Sequence, residues 1–259
     1  MPELPDVEYY RTYAQATSLH KEIADSVLTA PRLLEDTSRQ LLSRRLKGES
    51  FEEARRHGKH LFLVHSSGGA LMLHFGMTGL LKYYEEADDP ERSRLIVRFA
   101  NGGSLAYINT RMLGKIAIVD SIEEYVKEAG LGPDALELTV DELRDLIRNS
   151  RGSIKTTLTN QSRIAGLGNV YGDEVLYQAG IDPRRACGDI SDEEVSKIHR
   201  LLRDVSDSAA RARGNPKDMP DTFLLRHREP GAECPRCAGT VSKITLGGRS
   251  SYLCEACQS

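Results

Sequence analysis

The residues able to do chemistry lie at the two ends of this sequence. Near the C-terminus, Cys234, Cys237, Cys254 and Cys257 follow the pattern Cys-x2-Cys-x16-Cys-x2-Cys, a spacing that lets two turns present four thiolates to one tetrahedral zinc ion. Four protein ligands leave no coordination position open to substrate, so this single Zn2+ would be structural. Two disulfides are the alternative, which a reducing compartment would suppress. Residues 241–244 and 251–253 read as strands between the cysteine pairs, joined by the turn Gly247-Gly248-Arg249-Ser250 with Arg249 at its tip. The fifth cysteine, Cys187, reads as a free thiol.

At the other end, removal of Met1 would expose Pro2 as a secondary amine. An α-amino group titrates near 8, about two units below lysine, so part of it is unprotonated and nucleophilic at neutral pH. Such an amine can attack the C1′ carbon of a nucleotide and form an iminium, the covalent logic of a lysine Schiff base. Glu3 beside it could carry the proton. Many chains begin Met-Pro, so this motif alone says little.

The elements that must position these groups follow two regimes. Residues 5–18 have helical periodicity, with Val7, Tyr10 and Ala14 on one face, and leave the first four residues as a free arm. Short strands follow at 61–64, 70–75, 80–83, 95–99, 105–108 and 116–119, separated by turn signals such as Asn101-Gly102-Gly103. Six such strands predict an antiparallel sandwich. Beyond Asp120 the pattern is helical. Thr139 with Glu142 and Ser191 with Glu194 form capping boxes that open two helices, and a third runs from Asn169 to Ala179. Gly130, Gly132 and Pro133 interrupt the pattern and mark a domain boundary near 121–132. The expected organisation is multi-domain α+β: an antiparallel β-sandwich flanked by helices over 1–125, a helical domain over 126–222, and a zinc-finger β-hairpin over 223–259.

Length and composition agree with this. The 259 residues suffice for more than one core, and with 28% charged and 39% hydrophobic residues the chain has globular composition. No apolar run approaches the ~18 residues that span a bilayer, and the N-terminus lacks the pattern of a secretory signal. A cytoplasmic protein is expected. The net charge of −3 excludes no partner, because polyanion binding follows local patches. Seven Lys or Arg stand against three Glu between Arg39 and His60; Arg148, Arg151 and Lys155 form a second cluster, and Arg226-His227-Arg228 a third. Each alone reads equally as a solvated face. The acidic run Glu85, Glu86, Asp88, Asp89, Glu91 marks a surface kept away from a polyanion.

Pro2-Glu3-Leu4-Pro5, Gly58-Lys59, His74-Phe75-Gly76-Met77-Thr78-Gly79, Leu131-Gly132-Pro133-Asp134, Gly166-Leu167-Gly168-Asn169 and the four cysteines occur in that order. Together, over essentially the whole chain, they closely resemble the bacterial formamidopyrimidine-DNA glycosylase and endonuclease VIII family. The resemblance implies a bifunctional base-excision-repair enzyme, monomeric, acting on double-stranded DNA that contains oxidised bases or abasic sites. It implies Pro2 as nucleophile, Glu3 as acid-base group, Lys59 as an aid to β-elimination and Arg249 at δ-elimination. An arginine scarcely releases a proton, so phosphate binding is the more defensible part for Arg249.

The helical domain would be a helix-two-turn-helix in which Asn169 holds the DNA backbone, helped by amides at the following helix N-terminus, with Gly166 and Gly168 allowing close approach. Met77, Arg111 and Leu113 would fill the gap left by an everted base; Met77 and Leu113 read otherwise as core residues. Arg92 and Arg151 fall near DNA-contacting positions of the family.

The chain departs from the formamidopyrimidine branch at Leu113, where phenylalanine is usual, at Met112 for arginine and at Asp6 for glutamate. It also has a shorter segment between Arg213 and Phe223. The short loop resembles the endonuclease VIII branch, so the implied lesions are ring-opened purines and oxidised pyrimidines ahead of 8-oxoguanine. The rivals are a non-catalytic binder of damaged or gapped DNA, which would have lost Pro2, Glu3 or Lys59, and a zinc ribbon on an unrelated fold, which would leave the N-terminal motifs unexplained.

Overall fold

The computed structural model describes residues 2–86 and 90–259. Of the acidic run, Asp88 and Asp89 lie outside the described residues. Two compact units emerge, one of Pro2 with Val7–Ala129 and the other of Glu3–Asp6 with Gly130–Ser259.

The first unit holds α1 (Leu4–Thr17) from Val7 onward, β1 (Ile23–Leu28), α2 (Arg39–Leu46), β2 (Phe51–His57), β3 (His60–His65), β4 (Ala70–His74), β5 (Gly79–Tyr84), β6 (Ser93–Phe99), β7 (Ser104–Asn109), β8 (Lys115–Val119) and α3 (Ile122–Glu128). The strands form two antiparallel sheets, ordered β1-β6-β7-β5 and β2-β3-β4-β8. Ile23, Val97, Phe99 and Leu105 of one sheet share a core with Phe51, Leu61, Leu63, Leu71, Leu73 and Ile116 of the other. Burying each such side chain stabilises the fold by about 1.5–3 kcal/mol. The outer face of the second sheet is also covered, because Phe62 and Met72 pack against Ile122 and Tyr125 of α3. That double burial explains why β3 and β4 are almost wholly apolar.

The six expected strands are all present, and β1, β2 and α2 are additions. Both extra strands are edges of their sheets, as β5 and β8 also are, but IADSVL and FEEARRH bury only two side chains each and lack the apolar run that reveals a strand.

The second unit contains α4 (Val140–Arg148), α5 (Ile154–Leu158), α6 (Asn169–Ala179), α7 (Asp192–Arg211), β9 (Ser242–Leu246) and β10 (Arg249–Leu253). Both capping boxes form as expected, at Thr139/Glu142 and Ser191/Glu194. Helix α7 buries Val195, Ile198, Leu202, Val205 and Ala209 against a core that includes Leu143, Ile147, Leu158, Val175 and Leu176. Helix α6 ends at Gly180, whose φ of +74 is the left-handed cap that glycine adopts without strain. Among the described residues, no helix is long and apolar enough to cross a membrane.

Candidate active site

The N-terminal segment is seated, which corrects the expectation of a free arm. Glu3 and Leu4 are completely buried. Leu4 joins the core of the second unit, and its N–H donates to the Gly166 carbonyl at 3.1 Å. The Glu3 carboxylate sits at the N-terminus of α6: Val170 N–H donates to Oε1 at 3.0 Å and Tyr171 N–H to Oε2 at 3.1 Å. A carboxylate is stabilised there because the first amides of a helix have no partner within it and the helix dipole is positive at that end. The amides expected to bind DNA phosphate are therefore taken by the protein's own glutamate. Gly166 and Gly168 serve the same seat. A Cβ at 166 would fall 2.4 Å from Leu4 Cδ1, and one at 168 would fall 2.2 Å from the Glu3 carboxyl.

Asp6 completes this anchor, accepting the Glu3 N–H at 2.8 Å. Burial raises its carboxyl from 3.8 to about 6, with the neighbouring Glu3 charge acting in the same direction and its hydrogen bond from Glu3 opposing. Its other oxygen lies where a Cβ on Gly214 would come within 2.3 Å; Gly214 has φ +68, so a side chain there would be both crowded and strained.

Across the same unit, the zinc-finger hairpin is held to α6 by one carboxylate that the sequence reading missed. Asp173 is fully buried and receives Lys155 Nζ at 2.5 Å, Arg228 Nη2 at 2.6 Å, the Ser251 hydroxyl at 2.7 Å and the Tyr252 N–H at 3.1 Å. Lys155 and Arg228 belong to clusters that read either as nucleic-acid patches or as solvated faces; both are instead drawn inward as its counter-ions. Burial lowers the Lys155 pKa while the Asp173 charge resists that change. A visible clue was the adjacent pair Asp173-Glu174 in a helix with no Lys or Arg of its own. Glu174 is likewise buried, accepts the N–H groups of Leu224 and Leu225, and is pushed up to about 7 by burial.

The Ser250 carbonyl accepts from Asn169 Nδ2 at 2.7 Å and lies 3.4 Å from Lys155 Nζ, fixing the backbone next to Arg249. Gly247 and Gly248, with φ of +57 and +74, form the two-residue hairpin turn. Arg249 is thus the first residue of β10, paired with Leu246, rather than the tip of the turn. A cavity of about 330 Å³ opens here, lined among others by Lys155, Gln161, Asn169 and Arg249. Asn169 Oδ1 is buried without a hydrogen-bond partner. Arg151 is exposed just before α5.

The four cysteine sulfurs lie within 4.8 Å of one another. Their contacts are 3.6 Å for Cys234 with Cys257, 3.6 Å for Cys237 with Cys254 and 3.1 Å for Cys257 with Cys237. Tetrahedral coordination at about 2.3 Å per Zn–S bond places sulfurs about 3.8 Å apart, so the set fits one structural zinc with slight expansion. Cys187 is a separate buried thiol beside Thr157.

In the first unit, Gly58 and Lys59 form the two-residue turn joining β2 to β3, Gly58 having φ +57. Lys59 has an uncharged neighbour in His74, which burial and the cations Lys59 and Lys115 push down to about 4. The residues expected to fill a vacated base stack lie on adjoining loops. The Arg111 N–H donates to Thr78 Oγ1 at 3.0 Å, and a Cβ on Gly76 would strike the Leu113 carbonyl at 2.3 Å. Asn109 Nδ2 braces the first loop by donating to the Phe75 carbonyl at 3.1 Å. Met77 is 42% and Leu113 51% exposed, against the reading of either as core. The exposed Arg92 adjoins them through its carbonyl, which accepts the Asn109 N–H at 3.2 Å.

Comparison with known proteins accounts for the whole chain. Residues 1–116 match the formamidopyrimidine-DNA glycosylase N-terminal domain, 130–218 the H2TH domain of the same enzymes, and 231–259 the zinc finger found in FPG and IleRS. The formamidopyrimidine-DNA glycosylase of Pelotomaculum thermopropionicum is 32% identical, covering 100% of this chain and 99% of its own length. That of Bacillus subtilis is 30% identical with the same coverage. The Lactococcus lactis Fpg in complex with abasic-site-containing DNA superposes with a TM-score of 0.87 at 25% identity over 100% of both chains. MutM in complex with carbocyclic 8-oxo-G-containing DNA gives 0.86 at 26% identity, also over 100% of both. The chain belongs to the formamidopyrimidine-DNA glycosylase family.

Proposed function

We propose that Pro2, freed of Met1, is the nucleophile with which this enzyme releases oxidised bases from duplex DNA. The chain is a base-excision-repair DNA glycosylase with abasic-site lyase activity, and its zinc is structural. The observation that supports Pro2 is the seat of its neighbour: Glu3 is fixed through both carboxylate oxygens and its own N–H, so the terminal amine is delivered from an immobilised residue, as a near-attack geometry requires.

The steps follow from that placement. The Pro2 nitrogen bonds to C1′ as the bond from C1′ to the base breaks. Glu3 takes the N–H proton that the bonded Pro2 nitrogen loses and passes it to the ring oxygen, so that the sugar ring opens and the adduct becomes an iminium, while the departing base takes a proton from solvent. Loss of a C2′ proton then expels the 3′ phosphate, aided by Lys59, and a second elimination expels the 5′ phosphate. Arg249, beside Asn169 and Lys155 at the 330 Å³ cavity, holds a backbone phosphate. Arg92, Arg111 and Arg151 supply further DNA contacts, while Met77 and Leu113 fill the vacated stack. The division 1–125, 126–222 and 223–259 separates catalytic, helix-two-turn-helix and zinc-finger parts of a cytoplasmic monomer. The short 213–223 segment favours ring-opened purines and oxidised pyrimidines over 8-oxoguanine.

The test is borohydride trapping on lesion-containing duplex. A covalent complex that disappears in Pro2→Gly is the expected result, and absence of any complex with abasic or oxidised substrates would overturn the reading in favour of a binder without chemistry. Lys59→Ala should impair strand cleavage or excision more than duplex binding; parallel losses would make it a phosphate contact.

A further inference from the structure

Helix α6 reaches the metal site through a side chain outside the finger. Tyr177 is completely buried, and its hydroxyl lies 3.1 Å from Cys234 Sγ. The ring packs with Leu224, Val241, Cys234 and Cys254. Arg236, inside the first Cys-x-x-Cys turn, stands 5.2 Å over the ring and donates to the Tyr177 carbonyl at 2.8 Å. The turn therefore grips this residue by backbone and ring while the residue's hydroxyl returns to the turn's first sulfur. Phenylalanine would fill the same apolar space. The hydroxyl adds a polar atom that burial penalises unless it is bonded, and the sulfur is the partner it has.

We propose that Tyr177 is a positioning residue of the zinc site, donating a hydrogen bond to the Cys234 thiolate and slowing loss of the ion. The direction of donation follows from the chemistry: a metal-bound cysteine has given up its proton, so the hydroxyl must be the donor. Donation draws electron density from the sulfur, making it a poorer base and nucleophile. Protonation or attack at a ligand sulfur is what lets zinc leave or lets an electrophile consume the site. The contact also fixes the Cys234 side chain against a rigid helix, as ligand-orienting hydrogen bonds around metals commonly do. Because Tyr177 lies two turns along the helix whose N-terminus seats Glu3, the metal is fastened to the same rod as the acid-base residue.

The experiment uses the full-length zinc-loaded protein and Tyr177→Phe, which keeps the ring and the packing; far-UV circular dichroism verifies that the variant is folded. Transfer of zinc to excess chelator, followed colorimetrically, should be about tenfold faster in the variant, the lower end of the range for removing a ligand-orienting hydrogen bond. With cobalt(II) in place of zinc, the thiolate-to-metal charge-transfer band should move to lower energy in the variant, since an unbonded thiolate is easier to oxidise. Packing changes alone would not shift that band. An unchanged band or an unchanged release rate overturns the proposal. Neither readout depends on glycosylase activity, so the result is independent of the parts assigned to Pro2 and Arg249.

Discussion

Gly168 and the Glu3 carboxyl occupy space that only a hydrogen at position 168 permits, a Cβ there falling 2.2 Å from Glu3 Cδ and Oε1. The backbone at Gly168 has φ −119, accessible to any residue, so the requirement for glycine is steric alone. Gly168→Ala should fold and bind zinc yet displace Glu3 from the α6 amides. Misplacement of a reacting group by about 1 Å can cost on the order of 100-fold in rate. Single-turnover excision, compared with chelator-accessible zinc and circular dichroism in the same variant, checks this; normal excision would show that Glu3 need not sit where it does.

Asp6 makes stability depend on pH in a definite sense. Its folded-state pKa, raised to about 6, exceeds the ordinary 3.8. The protonated form is favoured by folding, so its stabilisation is fully present below pH 3.8, declines as pH rises through about 6, and is gone above that. Asp6→Asn keeps an acceptor for the Glu3 N–H and removes the ionisation. The variant should gain on wild type across this interval, by up to about 3 kcal/mol by linkage. Denaturant midpoints at pH 4.5, 6 and 7.5 measure it, and a constant difference between the two proteins would contradict it.

Removing the Asp173 charge should be among the most damaging single changes. Asp173→Asn leaves Lys155 and Arg228 without their shared carboxylate in a buried setting. Breaking such an arrangement from one side costs about 3–5 kcal/mol. Equilibrium unfolding reads the loss, and Lys155→Met combined with Asp173→Asn should recover part of it, because the stranded ammonium is then gone.

Met77→Ala and Leu113→Ala separate an inserted wedge from a core residue. Both side chains are substantially exposed, so each substitution should change stability by no more than about 0.5 kcal/mol. Excision from intact duplex should fall, whereas cleavage of a preformed abasic site, where the base is already absent, should fall less. Fluorescence of a reporter base opposite the lesion would follow insertion directly.

Legibility in the sequence tracked how local each feature is. The four cysteines, both capping boxes and six of the strands, the edges β5 and β8 among them, announce themselves within a few residues, and all appear as expected. Strands β1 and β2 do not, since charged and small polar residues interrupt the few apolar ones in IADSVL and FEEARRH. The seat of Glu3 was invisible for a sharper reason: its hydrogen bonds to Val170 and Tyr171 join residues 167 and 168 positions apart, and the glycines that permit them read equally well as room for a phosphate. Asp173 was missed because a buried carboxylate in a helix is recognised only by its partners, and those come from α5, from the segment before the finger and from β10.

The pairing of Glu3 with α6 also sets an order of events during synthesis. Pro2 and Glu3 are among the first residues made, but the amides that hold Glu3 belong to residues 170 and 171. A ribosome must deliver two-thirds of the chain before that seat exists, and the hairpin that carries Arg249 comes later still. A nascent fragment that ends before α6 therefore holds Pro2 and Glu3 without the amides that seat the glutamate.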